Sequence, residues 1–385
     1  MKTAVLGYGT VGVGVYRLLA GAEGLEPGPV LVREGKAREP FHVTSLDEIL
    51  SDPSVEAVAE VMGGIEPAFS YAKRVLESGR HLVTANKALC AAHGIELDAI
   101  ARRKGVAFLF SAACGGGVPF LHNLELAARG DRILSVSGIL NGTTNFMLDA
   151  MQSSGADYAD VLKEAQRLGY AEADPTADVS GLDALRKIQL GCAVAFGRLP
   201  QSGMLCEGIE HFTAEDVRDL QSRGLACRLL AGGAPAGKTV SALVEPVLFG
   251  PGAPERSVLK NYNMAKYVGE SCGPIVFMGQ GAGRFPTATA VIRDLCCVTH
   301  GQRSMFPAGC AAVEADNGGQ EREYYVRLSP ADAGRLPLKK LLVNADTVRA
   351  VTEPVSPERM HALAQIIRKE GGAIFFAALE EGTIC

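Results

Sequence analysis

The run Gly7-Tyr8-Gly9-Thr10-Val11-Gly12 stands directly after a short β-type segment, residues 3–6, and before an apolar stretch with Val13, Val15, Leu18 and Leu19. Strand, glycine turn and helix in that order make a dinucleotide-binding βα unit, a much narrower constraint than the glycine spacing alone. The first glycine allows the tight turn and the second lets backbone approach a pyrophosphate. The third lets the helix pack closely on the strand. Gly7, Gly9, Thr10, Val11 and Gly12 therefore form the expected phosphate cradle, with the free N–H groups of a helix N-terminus facing the negative charge.

The next apolar run, Val30-Leu31-Val32, leads into Arg33-Glu34-Gly35-Lys36-Ala37-Arg38. Glu34 lies about where an acidic residue takes the ribose 2′-hydroxyl of NAD, whereas Arg33, Lys36 and Arg38 suit a 2′-phosphate. Both NADP and NAD stay open, with the balance leaning to NADP.

A second informative stretch is Gly169-Tyr170-Ala171-Glu172-Ala173-Asp174-Pro175-Thr176-Ala177-Asp178, continuing through Asp183 to Lys187. Residues 172–180 are polar and broken by Pro175, which reads as a loop. From Leu182 onward the apolar residues Leu185, Ile188, Leu190 and Cys192 read as a helix with one buried side. Asp183 and Lys187, four apart, share a face of it. Such a pair is most often a surface ion pair. Beside a nucleotide-binding unit, a loop carboxylate, a helix carboxylate and a helix ammonium suit a small molecule with both an ammonium and a hydroxyl or carbonyl. Asp174 and Asp178 read at least as well as capping or loop-closing residues.

Composition narrows the classes further. With 385 residues, two or three domains are expected. No 18-residue uncharged apolar run offers a membrane span, and a net charge of −5 without a basic patch argues against nucleic acid. Ten cysteines without a Cys-x-x-Cys spacing suggest no zinc site and reduced thiols in the cytoplasm. The N-terminus, one lysine and a short strand, does not read as a signal peptide.

Four further segments carry a resemblance: Glu60-Val61-Met62-Gly63-Gly64-Ile65-Glu66-Pro67, Thr84-Ala85-Asn86-Lys87-Ala88-Leu89, Gly138-Ile139-Leu140-Asn141-Gly142-Thr143-Thr144-Asn145, and Gly279-Gln280-Gly281-Ala282-Gly283 through Ala288. Together with the glycine turn and the acidic stretch, in this order and at these intervals, they resemble homoserine dehydrogenase over nearly the whole chain. The resemblance implies NAD(P)-dependent interconversion of L-homoserine and L-aspartate 4-semialdehyde, towards threonine and methionine. It implies Lys187 as proton donor and acceptor and Lys87 as a second active-site lysine near the cofactor. Glu172 and Asp183 would hold the substrate ammonium, Asn141 and Thr143 would line the substrate, and Gly281 would lie beside the nicotinamide. It also implies a homodimer or homotetramer.

The family places a monovalent cation, usually sodium, on backbone carbonyls that correspond to Ser111, Cys114, Gly116 and Val118. This chain departs from the family's glutamate at Ser111 and from its valine at Cys114; ligation by backbone carbonyls is compatible with both changes. Cys114 itself is not read as a nucleophile, since no histidine is arranged to activate it.

The expected fold class is α/β. A Rossmann-type doubly wound domain spans 1–130, and an α+β substrate and dimerisation domain spans 131–310, with the helix from about 288 returning to the first. The tail, 321–385, resembles a small ACT-like α+β module in which 331–347 looks too short for a helix and a second strand. A bound amino-acid effector and a purely structural tail are equally open. A second reading of function, motivated by Ser111 and the tail, is a catalytically inactive relative that binds nucleotide or amino acid as a regulatory subunit. Another NAD(P)-dependent amino-acid or semialdehyde dehydrogenase is the chemically nearest third reading.

Overall fold

A computed structural model describes residues 1–344, 346–380 and 382–383; of the tail read above, positions 345, 381, 384 and 385 lie outside the described residues. The chain divides into two compact units. Residues 1–134, 189–201 and 265–313 form one, and residues 135–188, 202–264 and 314–385 form the other.

The first unit is built on a six-stranded sheet: β1 (Lys2–Leu6), β2 (Glu26–Leu31), β3 (His42–Val43), β4 (Val55–Glu60), β5 (His81–Thr84) and β6 (Phe108–Leu109). Its order is β3-β2-β1-β4-β5-β6 with every pair parallel. Parallel neighbours need crossovers, and helices Thr10–Leu19, Leu46–Ser51, Ala68–Glu77 and Lys87–Lys104 supply them. Ser45 and Glu48 start the second of these with a reciprocal capping box. Gly105, at φ +70°, stops the fourth. The strands bury nearly continuous apolar runs, as a sheet covered on both faces requires.

Helix Arg284–Thr299 belongs to this unit and packs on helix Thr10–Leu19. The contact depends on Gly14, where a Cβ would come within 2.9 Å of the Arg284 carbonyl oxygen.

The second unit holds long strands, Ala226–Ala236 and Thr239–Phe249, paired as an antiparallel hairpin over their full lengths. The tail adds strands Tyr324–Leu328, Leu338–Asn344, Val348–Thr352 and Ile374–Leu379 and helix Pro357–Lys369. It is not a detached module. Strand Ile374–Leu379 pairs in parallel with Thr239–Phe249 through Val247 and Leu248, so the tail extends the same sheet. One core runs through both, joining Val247 and Phe249 to Tyr324, Met360 and Phe376. The segment that looks too short for both a full helix and a second strand holds the strand alone, Leu338–Asn344. Before it stands only the single 3-10 turn Ala333–Arg335. Among the described residues no helix is long and apolar enough to cross a membrane.

Candidate active site

In the first unit, the carboxyl ends of β1, β2 and β4 open onto a cavity of about 860 Å³. The strand order reverses at β1, and open α/β sheets bind ligands at such a switch point. Gly7, Tyr8 and Gly9 line the cavity centrally. Arg33, Glu34, Lys36 and Thr44 lie on one side, and Val61, Met62, Gly63, Pro67 and Tyr71 on the other. The glycines are sterically required. Gly7 sits at φ +100°, and a Cβ on Gly12 would lie 2.1 Å from the Gly7 carbonyl oxygen. Thr10 and Val11 begin the helix whose N-cap is Gly9, so its first amides point to the phosphate position. The residues present therefore fit a dinucleotide.

Glu60 sits under this wall with no exposure. Its Oε1 accepts the Met62 amide at 2.8 Å, and its Oε2 accepts the Thr84 hydroxyl. Burial pushes its pKa up against these bonds. Thr84 Oγ1 in turn accepts the Asn86 amide at 2.9 Å. Asn86 caps the helix through the Leu89 amide at 3.1 Å and donates to the Gly64 carbonyl at 2.6 Å. Lys87 is the first residue of that helix and is half-buried. A cation at the positive end of a helix is locally unfavourable, a conflict that functional sites tend to carry. Sequence reading singles out Lys87 as a candidate but not Glu60, which bonds the Met62 amide of the cavity wall and, through Thr84, the Asn86 cap.

Gly281 does not line the cavity. It packs against Gly116, where a Cβ would meet the Gly281 carbonyl oxygen at 2.5 Å, and the Gly117 amide donates to Gln280 at 3.2 Å. In the adjoining loop the Ser111 carbonyl accepts the Cys114 amide at 3.3 Å and that of Val118 accepts Phe120 at 2.8 Å. The Ser111 amide donates to Asp294 Oδ2 at 2.8 Å and its hydroxyl to Oδ1. Burial raises the Asp294 carboxyl to about 6. The backbone carbonyls of Ser111, Cys114, Gly116 and Val118 are uncharged oxygens, of which those of Ser111 and Val118 already accept amides.

In the second unit, helix Leu182–Phe196 brings Asp183 and Lys187 together, its residues from Gln189 onward counting with the first unit. Lys187 Nζ donates to Asp183 Oδ2 at 2.7 Å and to the Leu140 carbonyl at 2.6 Å. Both side chains are only 11% exposed, so this is no surface ion pair. Asn141 caps helix Gly142–Ser154 through Oδ1, which accepts the Thr144 amide at 2.8 Å. That leaves Nδ2 to donate to Asp183 at 2.9 Å and to Asp178 at 2.7 Å. The Thr143 hydroxyl donates to the Tyr170 carbonyl at 2.5 Å and lies 3.2 Å from Asp178 Oδ2.

Asp178, on the short helix Thr176–Val179, thus belongs to the cluster. Burial pushes its pKa up, and the charge of Asp183 adds to the shift. Glu172 stands apart: it is exposed, and its carboxylate makes no hydrogen bond or ion pair among the described residues. Asp174 accepts the Thr176 amide at 3.1 Å, a turn-closing bond.

Residues 7–111 match the family model for the homoserine dehydrogenase NAD-binding domain, and residues 119–296 match that for homoserine dehydrogenase. The chain belongs to the homoserine dehydrogenase family. It is 42% identical to the homoserine dehydrogenase of a Synechocystis species over 77% of this chain and 72% of that one. It is 40% identical to the enzyme of Corynebacterium glutamicum over 86% of this chain and 80% of that one. A crystal structure of a homoserine dehydrogenase from Thiobacillus denitrificans superposes with a TM-score of 0.87 at 32% identity, covering 99% of this chain and 98% of that one. As a member of the family the chain is a nicotinamide-dependent oxidoreductase that acts on homoserine.

Proposed function

We propose that Lys187 is the proton donor and acceptor in the interconversion of L-homoserine and L-aspartate 4-semialdehyde. The observation that carries this is the position of its ammonium, buried and held between the Leu140 carbonyl and Asp183. When bound, the nicotinamide supplies or takes the hydride at the substrate's C4. In the reducing direction the Lys187 ammonium gives its proton to the oxygen as negative charge grows there; in the oxidising direction the neutral amine takes the hydroxyl proton. Asp183 holds Lys187 and, with Glu172, binds the substrate ammonium. Asn141 fixes Asp183, and Thr143 lines the substrate. Lys87 orients the substrate and polarises its oxygen.

For the cofactor, Arg33 and Lys36 favour NADP over NAD, since both line the cavity beyond the phosphate turn. Backbone carbonyls of Ser111, Cys114, Gly116 and Val118 hold a monovalent cation weakly. The product serves threonine and methionine synthesis in the cytoplasm. Two copies of the chain associate along edge strand Gly273–Gln280, which leaves Val276 42% and Met278 56% exposed; light scattering showing a monomer would remove that part of the reading.

Nicotinamide absorbance with L-homoserine tests the core of the proposal. Reduction of NADP exceeding that of NAD, with a modest response to sodium, is expected. A folded, nucleotide-binding protein with no homoserine-dependent reduction would refute it.

A further inference from the structure

The segment between β2 and β3 carries the charged residues of the cavity, Arg33, Glu34 and Lys36. It turns back at Gly35, at φ +76°, where the Lys36 amide donates to the Arg33 carbonyl at 2.9 Å. Its far limb is tied by one atom. The backbone amides of Arg38 and Glu39 both donate to Nδ1 of His42, at 3.1 and 3.3 Å. The His42 amide closes the ring by donating to the Glu39 carbonyl at 3.0 Å.

A ring nitrogen that accepts two amides carries no proton, so the proton of the neutral imidazole is on Nε2. Nε2 is buried and has no hydrogen-bond partner among the described residues. Tyr8 and Phe41 hold the ring edge-on at 4.7 and 4.8 Å between centroids, and Tyr8 itself lines the cavity. The ring orientation is therefore set by packing, and the acceptor is presented to the loop rather than found by it.

We infer that His42 is a positioning residue for cofactor choice: its Nδ1 fixes the course of the loop that presents Arg33 and Lys36 to the 2′-phosphate of NADP. The inference rests on the reading of that basic loop as the phosphate site. The two amide bonds lie at the surface, where water can replace the acceptor. Losing Nδ1 thus costs the fold little and shows instead as a loop that must be ordered when cofactor binds.

Two variants separate the acceptor from the ring. His42→Phe keeps an aromatic ring and removes Nδ1. His42→Asn removes the ring but places Oδ1 where Nδ1 stood. In His42→Phe the KM for NADP is expected to rise roughly fivefold to tenfold, the gain of one lost loop tie. The KM for homoserine and the kcat at saturating cofactor are expected to stay within about twofold, and the KM for NAD to rise less than that for NADP. His42→Asn is expected to recover most of the NADP affinity. An unchanged NADP KM in His42→Phe overturns the inference, and so does an Asn variant as impaired as the Phe variant, which would assign the effect to ring packing. Arg33→Ala with Lys36→Ala, in the presence of His42, checks the underlying reading separately. If that double variant leaves the NADP to NAD preference unchanged, the basic loop is not the phosphate site and the role of His42 falls with it.

Discussion

Lys187 Nζ lies 2.7 Å from Asp183 Oδ2 one helical turn away, and neither side chain is more than 11% exposed. At that depth an ion pair is not a decoration of a helix surface. Taking two charges out of water costs several kcal/mol per ion, and their attraction only repays this when further bonds complete the shell. Here the Leu140 carbonyl and the Asn141 amide provide two of those bonds. Folding thus spends solvation to hold an ammonium at a fixed point, which is the preorganisation that proton transfer to an alkoxide demands.

On the proposed role, replacing Lys187 removes the proton donor and none of the residues that line the nucleotide cavity. In Lys187→Ala, kcat is expected to fall by roughly 10²–10⁴-fold, the usual contribution of a positioned acid or base. The Kd for NADPH, read by fluorescence, should stay at its wild-type value. Near-normal turnover would show that another group moves the proton.

Asp183 is expected to behave differently, because it accepts from Lys187 and, on the proposed role, also binds the substrate ammonium. Asp183→Ala leaves the Lys187 ammonium buried beside the Leu140 carbonyl without this carboxylate, a loss of the kind that costs about 3–5 kcal/mol. A rise in the KM for homoserine and a fall in kcat, each of roughly tenfold or more, should therefore appear together. If only KM moves, Asp183 binds the substrate ammonium and its bond to Lys187 does not matter for proton transfer; if neither moves, Asp183 serves neither step.

The parts of this molecule legible in the sequence are those whose cause is local. The glycine turn is fixed by contacts such as that between Gly12 and the Gly7 carbonyl, five residues apart, and the Asp183–Lys187 pair by helical spacing. For Asp178 the sequence leaves a capping or loop-closing role at least as open as a place in the site. Its place in the cluster comes from Asn141, 37 residues earlier, whose Oδ1 is committed to a helix cap so that Nδ2 must reach the carboxylates. No pattern within the acidic stretch encodes that. The same holds for Ser111 and Asp294, 183 residues apart. Likewise the tail's attachment depends on pairing Leu248 with Leu379. A strand such as Leu338–Asn344, with Lys339 and Lys340 in it and an edge position in the sheet, lacks the alternation by which buried strands announce themselves.

Glu34 lines the same cavity as Arg33 and Lys36, and its carboxylate opposes a 2′-phosphate while it can accept a 2′-hydroxyl. Glu34→Gln should therefore lower the KM for NADP and raise that for NAD, each by about twofold to fivefold, since an exposed charge pair is worth at most about 1 kcal/mol. The two constants should move in opposite directions, and the shift should shrink as salt rises. Parallel changes in both would mean that Glu34 acts on loop structure and not on the ribose.

Asp294 offers a test through stability. Its carboxyl is raised from 3.8 to about 6, with burial the leading cause. A group whose folded pKa is raised stabilises the fold fully below its unfolded value, and that contribution is lost as pH climbs through the folded value. The wild-type protein should thus surrender stability between about pH 4 and pH 6 on account of this residue, on the order of 3 kcal/mol for a shift of about two units. Asp294→Asn keeps an acceptor for the Ser111 amide and an amide group for its hydroxyl, and has nothing to ionise. Thermal melts of the two proteins should show the variant gaining on the wild type as pH rises from 4 to 7. Parallel curves over that range would mean that Asp294 is not held as an acid in the folded chain, and that the bonds from Ser111 already suit its charged form.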